Sequence, residues 1–211
     1  MSRQLHEEGA TLTLTGRSAT QLEQWRDQAT LVTGDLRDAE TATHIIDTAI
    51  NGHGRIDGLV IASGVVAFGM LADLTDETLD DLFATNVIAP IRLIRAALPY
   101  LEQSNRDGRS PFVVNFSAVV AEQPTAGMAA YSASKAALTA FDAAAARELR
   151  RSGIRLIDAR PPHTETGLAD RPIAGTAPRL PQGLSPDAVT GRVIDAIKND
   201  ERDLGSSAFT A

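Results

Sequence analysis

The 211-residue chain has no cysteine. That excludes disulfides and thiolate metal sites, and it fits a reducing compartment. It lacks an excess of basic residues: 27 acidic side chains outnumber 20 basic ones, for a net charge of −7. A fold-wide basic footprint for nucleic acid is therefore absent. No unbroken apolar run reaches the roughly 18 residues that span a bilayer, and the N-terminus has no charged-then-apolar leader pattern. Internal repeats and low-complexity tracts are absent as well. His6, His44, His53 and His163 are scattered singly, so no metal site is expected. These absences leave an acidic cytoplasmic protein, with no call for nucleic acid or a membrane.

What is present is an alternation of strand-like and helix-like stretches. Strands are expected over 11–16, 29–36, 56–64, 110–118 and 154–162, and helices over 18–28, 37–54, 74–103, 131–153 and 185–201. Ser18 or Thr20 suits the start of the first full helix, and Ser185 followed by Pro186 suits the last. Trp25 sits at core spacing and reads as packing. Residues 163–187 are rich in Pro, Gly and Thr and read as loop. The polar tail 202–211 offers at most a short strand. Strands alternating with helices predict an α/β fold: a doubly wound parallel sheet with helices on both faces, in one domain spanning 1–211. In such sheets ligands bind at the carboxyl ends of the strands.

The residues at the strand ends are therefore the candidates for chemistry. Arg17 follows the first strand, where a cation can hold a phosphate or simply face water. Asp35, followed by Leu36, can accept a hydrogen bond from a ring amine or cap the next helix. Ala62, Ser63 and Gly64 are small and let a flat ligand approach the backbone. Ser117 ends the fourth strand. Tyr131 and Lys135 lie four apart on a helix and share a face. An ammonium one turn from a phenol favours the phenolate, making it a usable acid or base. The bland alternative is an exposed Tyr stacked on a Lys stem.

The ordered set "TLTLTGR", "GDLRD", "LVIASG", "FATNVIAPIRLIRAALPYL", "VVNFSA", "YSASKAAL" and "IRLIDARPP" resembles the short-chain dehydrogenase/reductase family over nearly the whole chain. The resemblance implies a Rossmann-type sheet, a nicotinamide cofactor, and interconversion of an alcohol with a carbonyl on a small-molecule substrate. By that resemblance Tyr131 is the general acid or base, and Lys135 lowers its pKa and holds the ribose. Asn86 holds a water in the proton relay, and Ser117 orients the carbonyl. Arg17 stands where NADP-preferring members carry a basic residue, so NADP is expected, with NAD as the alternative. Asp35 and Leu36 border the adenine, and Ala62-Ser63-Gly64 replaces the usual Asn-Ala-Gly. Pro161, Thr164 and Thr166 lie on the nicotinamide side, and 162–185 is the substrate-side loop. Such proteins commonly form homodimers or homotetramers through the helices after Asn86 and around Tyr131; the run Ala143–Ala146 can pack on another helix or on its own sheet.

The resemblance is incomplete in three places. The usual first strand and glycine-rich phosphate loop have no counterpart before "RQLHEEGA". The expectations are a true start lying upstream, a truncated remnant, or a chain working in this form. Removing that strand from a 3-2-1-4-5-6 sheet separates a two-strand pair from the rest and exposes two edges. The family's usual serine position is Ala118, one residue after Ser117. The fifth strand ends Pro161-Pro162 rather than Pro-Gly, and His163 and Glu165 are candidate substrate contacts or plain loop. A non-catalytic nucleotide-binding or partner-binding protein is the competing reading.

Overall fold

The computed structural model describes residues 1–209. Of the tail considered above, Thr210 and Ala211 lie outside the described residues. A short helix, α1 (Ser2–Glu7), ends at Gly9, whose φ of +85° turns the chain into strand β1 (Leu12–Gly16). β1 pairs in parallel with β2 (Ala29–Thr33), from Leu12↔Ala29 to Gly16↔Thr33. The remaining strands form a second parallel sheet in the order β3 (Gly58–Ile61), β4 (Phe112–Phe116), β5 (Arg155–Ala159), β6 (Asp203–Leu204). No ladder joins β1 to β3 among the described residues. The expected separation of a two-strand pair from the other strands is thus present.

What bridges the two sheets is side-chain packing. One apolar core runs from Val32 on β2 through Ile45 and Ile46 of α3 (Ala39–His53). It continues through Leu93, Ala97 and Leu101 of α5 (Ala89–Arg106) to Val113 on β4 and Leu156 on β5. Neighbouring strand residues point the other way. Val114 and Ile157 pack with Val189, Val193 and Ala196 of α7 (Pro186–Lys198). Both faces of β4 and β5 are dry, which is why those strands read as nearly continuous apolar runs. The arrangement is a Rossmann-type α/β fold with helices on both faces.

Several elements are shorter than the sequence suggests. The helix expected over 18–28 is one turn, α2 (Ala19–Leu22), followed by a 3-10 turn over Glu23–Trp25. Ser18 does cap it, accepting from Gln21 N, but no residue of the segment is buried, so no apolar face extends it. Trp25 is only half-buried and lies outside the core. The expected helix over 74–103 is two, α4 (Asp76–Phe83) and α5, joined by a wide π turn over Ala84–Ile88. Pro90 has no N–H to give the carbonyl four residues back, so a regular ladder cannot pass Asn86. By length and composition alone, Asp76–Arg106 can cross a membrane. Here Leu93, Ile94, Ala97 and Leu101 are within the core.

The stretch 163–184 has no helix. It is tied back by a bridge from Thr164 to Leu184 and by another from Ala174 to Ala67, in the segment that follows β3. The last helix begins as expected, with Ser185 Oγ accepting from Ala188 N at 3.1 Å.

Candidate active site

Tyr131 and Lys135 lie in the first turns of α6 (Ala129–Leu149), and both are buried, 7% and 4% exposed. The stacked, exposed pair is therefore ruled out. Lys135 Nζ donates to the carbonyl of Phe116, the last residue of β4, at 2.8 Å. That leaves two of its three N–H donors for a ligand. Asn86 is clasped from three sides. Its Oδ1 accepts from Val65 N at 2.9 Å, and its Nδ2 donates to Val65 O at 2.9 Å and to Ser134 Oγ at 3.0 Å. Ser134 in turn donates to the carbonyl of Tyr131 at 2.8 Å. Gly64 completes the cluster: a Cβ there would lie 3.3 Å from Asn86 Oδ1 and 3.4 Å from Lys135 Nζ. Residues from three separate segments of sequence thus converge on one point.

Ser117 is buried, and its hydroxyl donates at 2.5 Å to Asp158 of β5. Its neighbour Ala118 is extended, at φ −173°, and packs with the apolar cluster that contains Tyr131. Successive residues of extended backbone face opposite ways. The side that faces the tyrosine is an alanine methyl.

Burial pushes the Tyr131 hydroxyl up to about 12. Burial also lowers Lys135 to about 8, against the attraction of Asp158 and then Asp142.

The remaining predicted positions line the strand ends. Arg17, just after β1, is exposed, and its charge helps hold the Asp35 carboxyl below its usual value, behind the larger effect of Arg37. Asp35 is bound by Arg37 through both oxygens, and Arg37 continues to Asp81 at 2.6 Å. The carboxylate thus anchors a loop arginine, and the cap position of α3 is taken by Asp38 instead. Leu36 packs against the core beside α3. Ala62 is exposed, and Ser63 Oγ is buried without a partner. Pro161 accepts from Val119 N at 3.0 Å. The Thr164 hydroxyl is spent on the carbonyl of Pro162 at 2.9 Å, while Thr166 is exposed. His163 lies 3.5 Å from Glu165, whose carboxylate accepts from Gly183 N. That pair therefore closes the loop on itself.

A narrow cleft of about 40 Å³ opens beside Tyr131, lined by Phe68, Met70, Leu74, Met128 and Asp73 among others. Met70 and Leu71 at its rim are 64% and 74% exposed. Ile173 N donates to Val66 O and Phe68 N to Ala174 O, so the 162–185 loop forms one wall.

Sequence reasoning missed a buried polar cluster behind the site. Asp142 on α6, Asn115 on β4, and Asp158 and Arg160 on or just after β5 are all at most 8% exposed. The available signal was two acids and an arginine placed inside otherwise apolar or alanine-rich segments, where unpaired charge is costly.

Comparison with known proteins bears on the family and the fold. The chain is 29% identical over 177 residues to ipsdienol dehydrogenase of Ips pini, covering 79% of this chain and 69% of that one. A short-chain dehydrogenase from Streptomyces avermitilis superimposes with a TM-score of 0.84 at 26% identity, over 98% of this chain and 83% of the other. A metagenomic short-chain oxidoreductase in complex with NADP matches at 31% identity with a TM-score of 0.70, over 75% of this chain and 74% of that one. Residues 1–174 match the family described as short chain dehydrogenase, and the chain belongs to that family.

Proposed function

We propose that the protein is an NADP-dependent oxidoreductase that interconverts an alcohol and a carbonyl on a small apolar substrate, with Tyr131 as the group that gives and takes the proton. The observation that carries this reading is the convergence of Tyr131, Lys135, Asn86 and Gly64 at the ends of β3 and β4. The residues present suit the sugar and nicotinamide end of such a cofactor. Ser63 Oγ is buried with no protein partner, and a Cβ at Gly64 would press closely on Asn86 Oδ1 and Lys135 Nζ. Lys135, Ala62, Ser63, Gly64, Pro161, Thr164 and Thr166 would hold that end, and Arg17 with Asp35 and Leu36 the adenosine end. When bound, the nicotinamide supplies or accepts the hydride.

The chain's own part is proton and charge management. The Tyr131 hydroxyl keeps its proton far above neutrality, so it serves first as the donor to a carbonyl oxygen, the direction of reduction. Lys135 keeps two N–H donors free beside it. Met70, Leu71, Phe68 and Met128 line the approach with no cation among them. An apolar substrate is favoured over one carrying carboxylate or phosphate. A panel of apolar and anionic carbonyl compounds, assayed by NADPH oxidation, tests this; a preference for the anionic members contradicts the substrate assignment.

The hydrogen bond from Ser117 to Asp158 gives weight to a second reading, a nucleotide-binding protein without turnover. Calorimetry separates the two, since tight NADPH binding with no oxidation of any substrate supports the second. A homodimer is the assembly we favour. Ala143 and Ala144 are exposed on α6, where another helix can approach, whereas Ala145 is in the core. Light scattering after size exclusion checks it.

A further inference from the structure

Asp158 is a carboxylate in the middle of a strand buried on both faces, 5% exposed. A charge so placed is costly unless something needs it. Arg160 is bonded to it at 2.5 Å, but Arg160 is also held by Glu122 at 2.5 Å and by Asp203 at 2.7 Å. Two carboxylates nearer the surface already answer that guanidinium, so Asp158 is not required for its neutralisation. On its other side Asp158 takes the Ser117 hydroxyl, and the peptide immediately before Ser117 carries the Phe116 carbonyl that Lys135 holds. We propose that Asp158 is a positioning residue of the Tyr131–Lys135 site, fixing the Ser117 segment and supplying the negative charge that keeps Lys135 an ammonium.

This rests on the function proposed above for its catalytic meaning, though not for its test. The groups facing Lys135 are few. From α6 come Tyr131 and Asp142, from the π turn Asn86, from the end of β4 Ser117, and from β5 Asp158, with Arg160 behind it. Asp142 is paired with Asn115 at 2.6 Å, and burial raises it to about 8, which weakens it as an anion. Of the two carboxylates that attract Lys135, Asp158 acts the more strongly. Ser117 thereby acts through its neighbours, and the proton donor to a carbonyl is Tyr131 alone.

The test uses a convenience of composition: Lys135 and Lys198 are the two lysines of the chain. Lys198 is half exposed and paired with Glu8, and it serves as internal reference. With lysine labelled by 13C at Cε, NMR titration of the nucleotide-free protein reads both. Asp158→Asn keeps an acceptor for Ser117 but removes the charge. The Lys135 midpoint should fall by about one pH unit, roughly tenfold in proton affinity, while Lys198 stays fixed. Asp158→Glu should restore the wild-type midpoint, and Ser117→Ala should raise it by uncovering the carboxylate. A folded Asp158→Asn variant with an unmoved Lys135 overturns the proposal. If that variant does not fold, an unmoved midpoint in Ser117→Ala overturns it instead. In an active preparation the pH-rate limb should shift with the NMR midpoint. Absence of any carbonyl-dependent NADPH oxidation by the wild type, with the midpoint shift intact, would contradict the proposed function and leave this assignment standing.

Discussion

The buried pair Asp142–Asn115 makes stability depend on pH in a direction opposite to that of ordinary surface carboxylates. Asn115 Nδ2 donates to Asp142 Oδ1, and the two remaining atoms, Asn115 Oδ1 and Asp142 Oδ2, are buried without partners. A proton on Oδ2 is what an acid–amide pair needs to close its second hydrogen bond. Burial, with the charge of Asp158 second, raises the Asp142 carboxyl from 3.8 to about 8. The sign follows from proton binding: between about pH 4 and pH 8 the folded chain holds this proton and the unfolded chain has lost it. Stability from this group is therefore complete below pH 4 and lost as pH rises through 8. At about 1.4 kcal/mol per unit, the loss is on the order of 6 kcal/mol as an upper bound. Asp142→Asn cannot titrate, and an amide–amide pair keeps both hydrogen bonds. Urea unfolding at pH 5 and pH 8 should show the wild type weaker at pH 8 by a few kcal/mol relative to the variant. An equal pH dependence in the two proteins refutes the reasoning. Lys135 acts with the opposite sign at higher pH: its lowered value makes its contribution rise between about 8 and 10.5.

Gly64→Ala puts a methyl 3.3 Å from Asn86 and 3.4 Å from Lys135. It should cost about 1–3 kcal/mol in urea unfolding and lower NADPH affinity in calorimetry; unchanged binding removes Gly64 from the site. Arg17→Glu should weaken NADPH more than NADH, read as separate dissociation constants, and an equal loss removes the phosphate assignment. Ser185→Ala loses the cap bond to Ala188 N and should lower stability by about 1 kcal/mol without altering nucleotide affinity.

The alternation of apolar runs with amphipathic segments made the sheet and its flanking helices legible, because β4 and β5 are dry on both faces and their neighbours are not. The gap between β1 and β3 was legible too, from the motif order alone. Element ends were less so. The first full helix shrank to a turn because Trp25 and its neighbours face no core, and the π turn at Asn86 follows from a proline four residues on. At the site, the i, i+4 spacing placed Tyr131 and Lys135 together, and small residues marked the approach of Gly64. What spacing could not give is the direction a side chain takes when two partners compete. Ser117 turned to Asp158 across the strands, and Asp35 turned to Arg37. Burial, invisible in one sequence, raises the phenol's proton affinity.

The most direct test of the account compares Tyr131→Phe with the wild type in two assays. One is carbonyl-dependent NADPH oxidation, and the other is NADPH binding by calorimetry. The variant keeps the buried ring and loses the proton. The account predicts turnover down by a hundredfold or more, with affinity within a few fold of wild type. Turnover that survives the loss of this hydroxyl would contradict it.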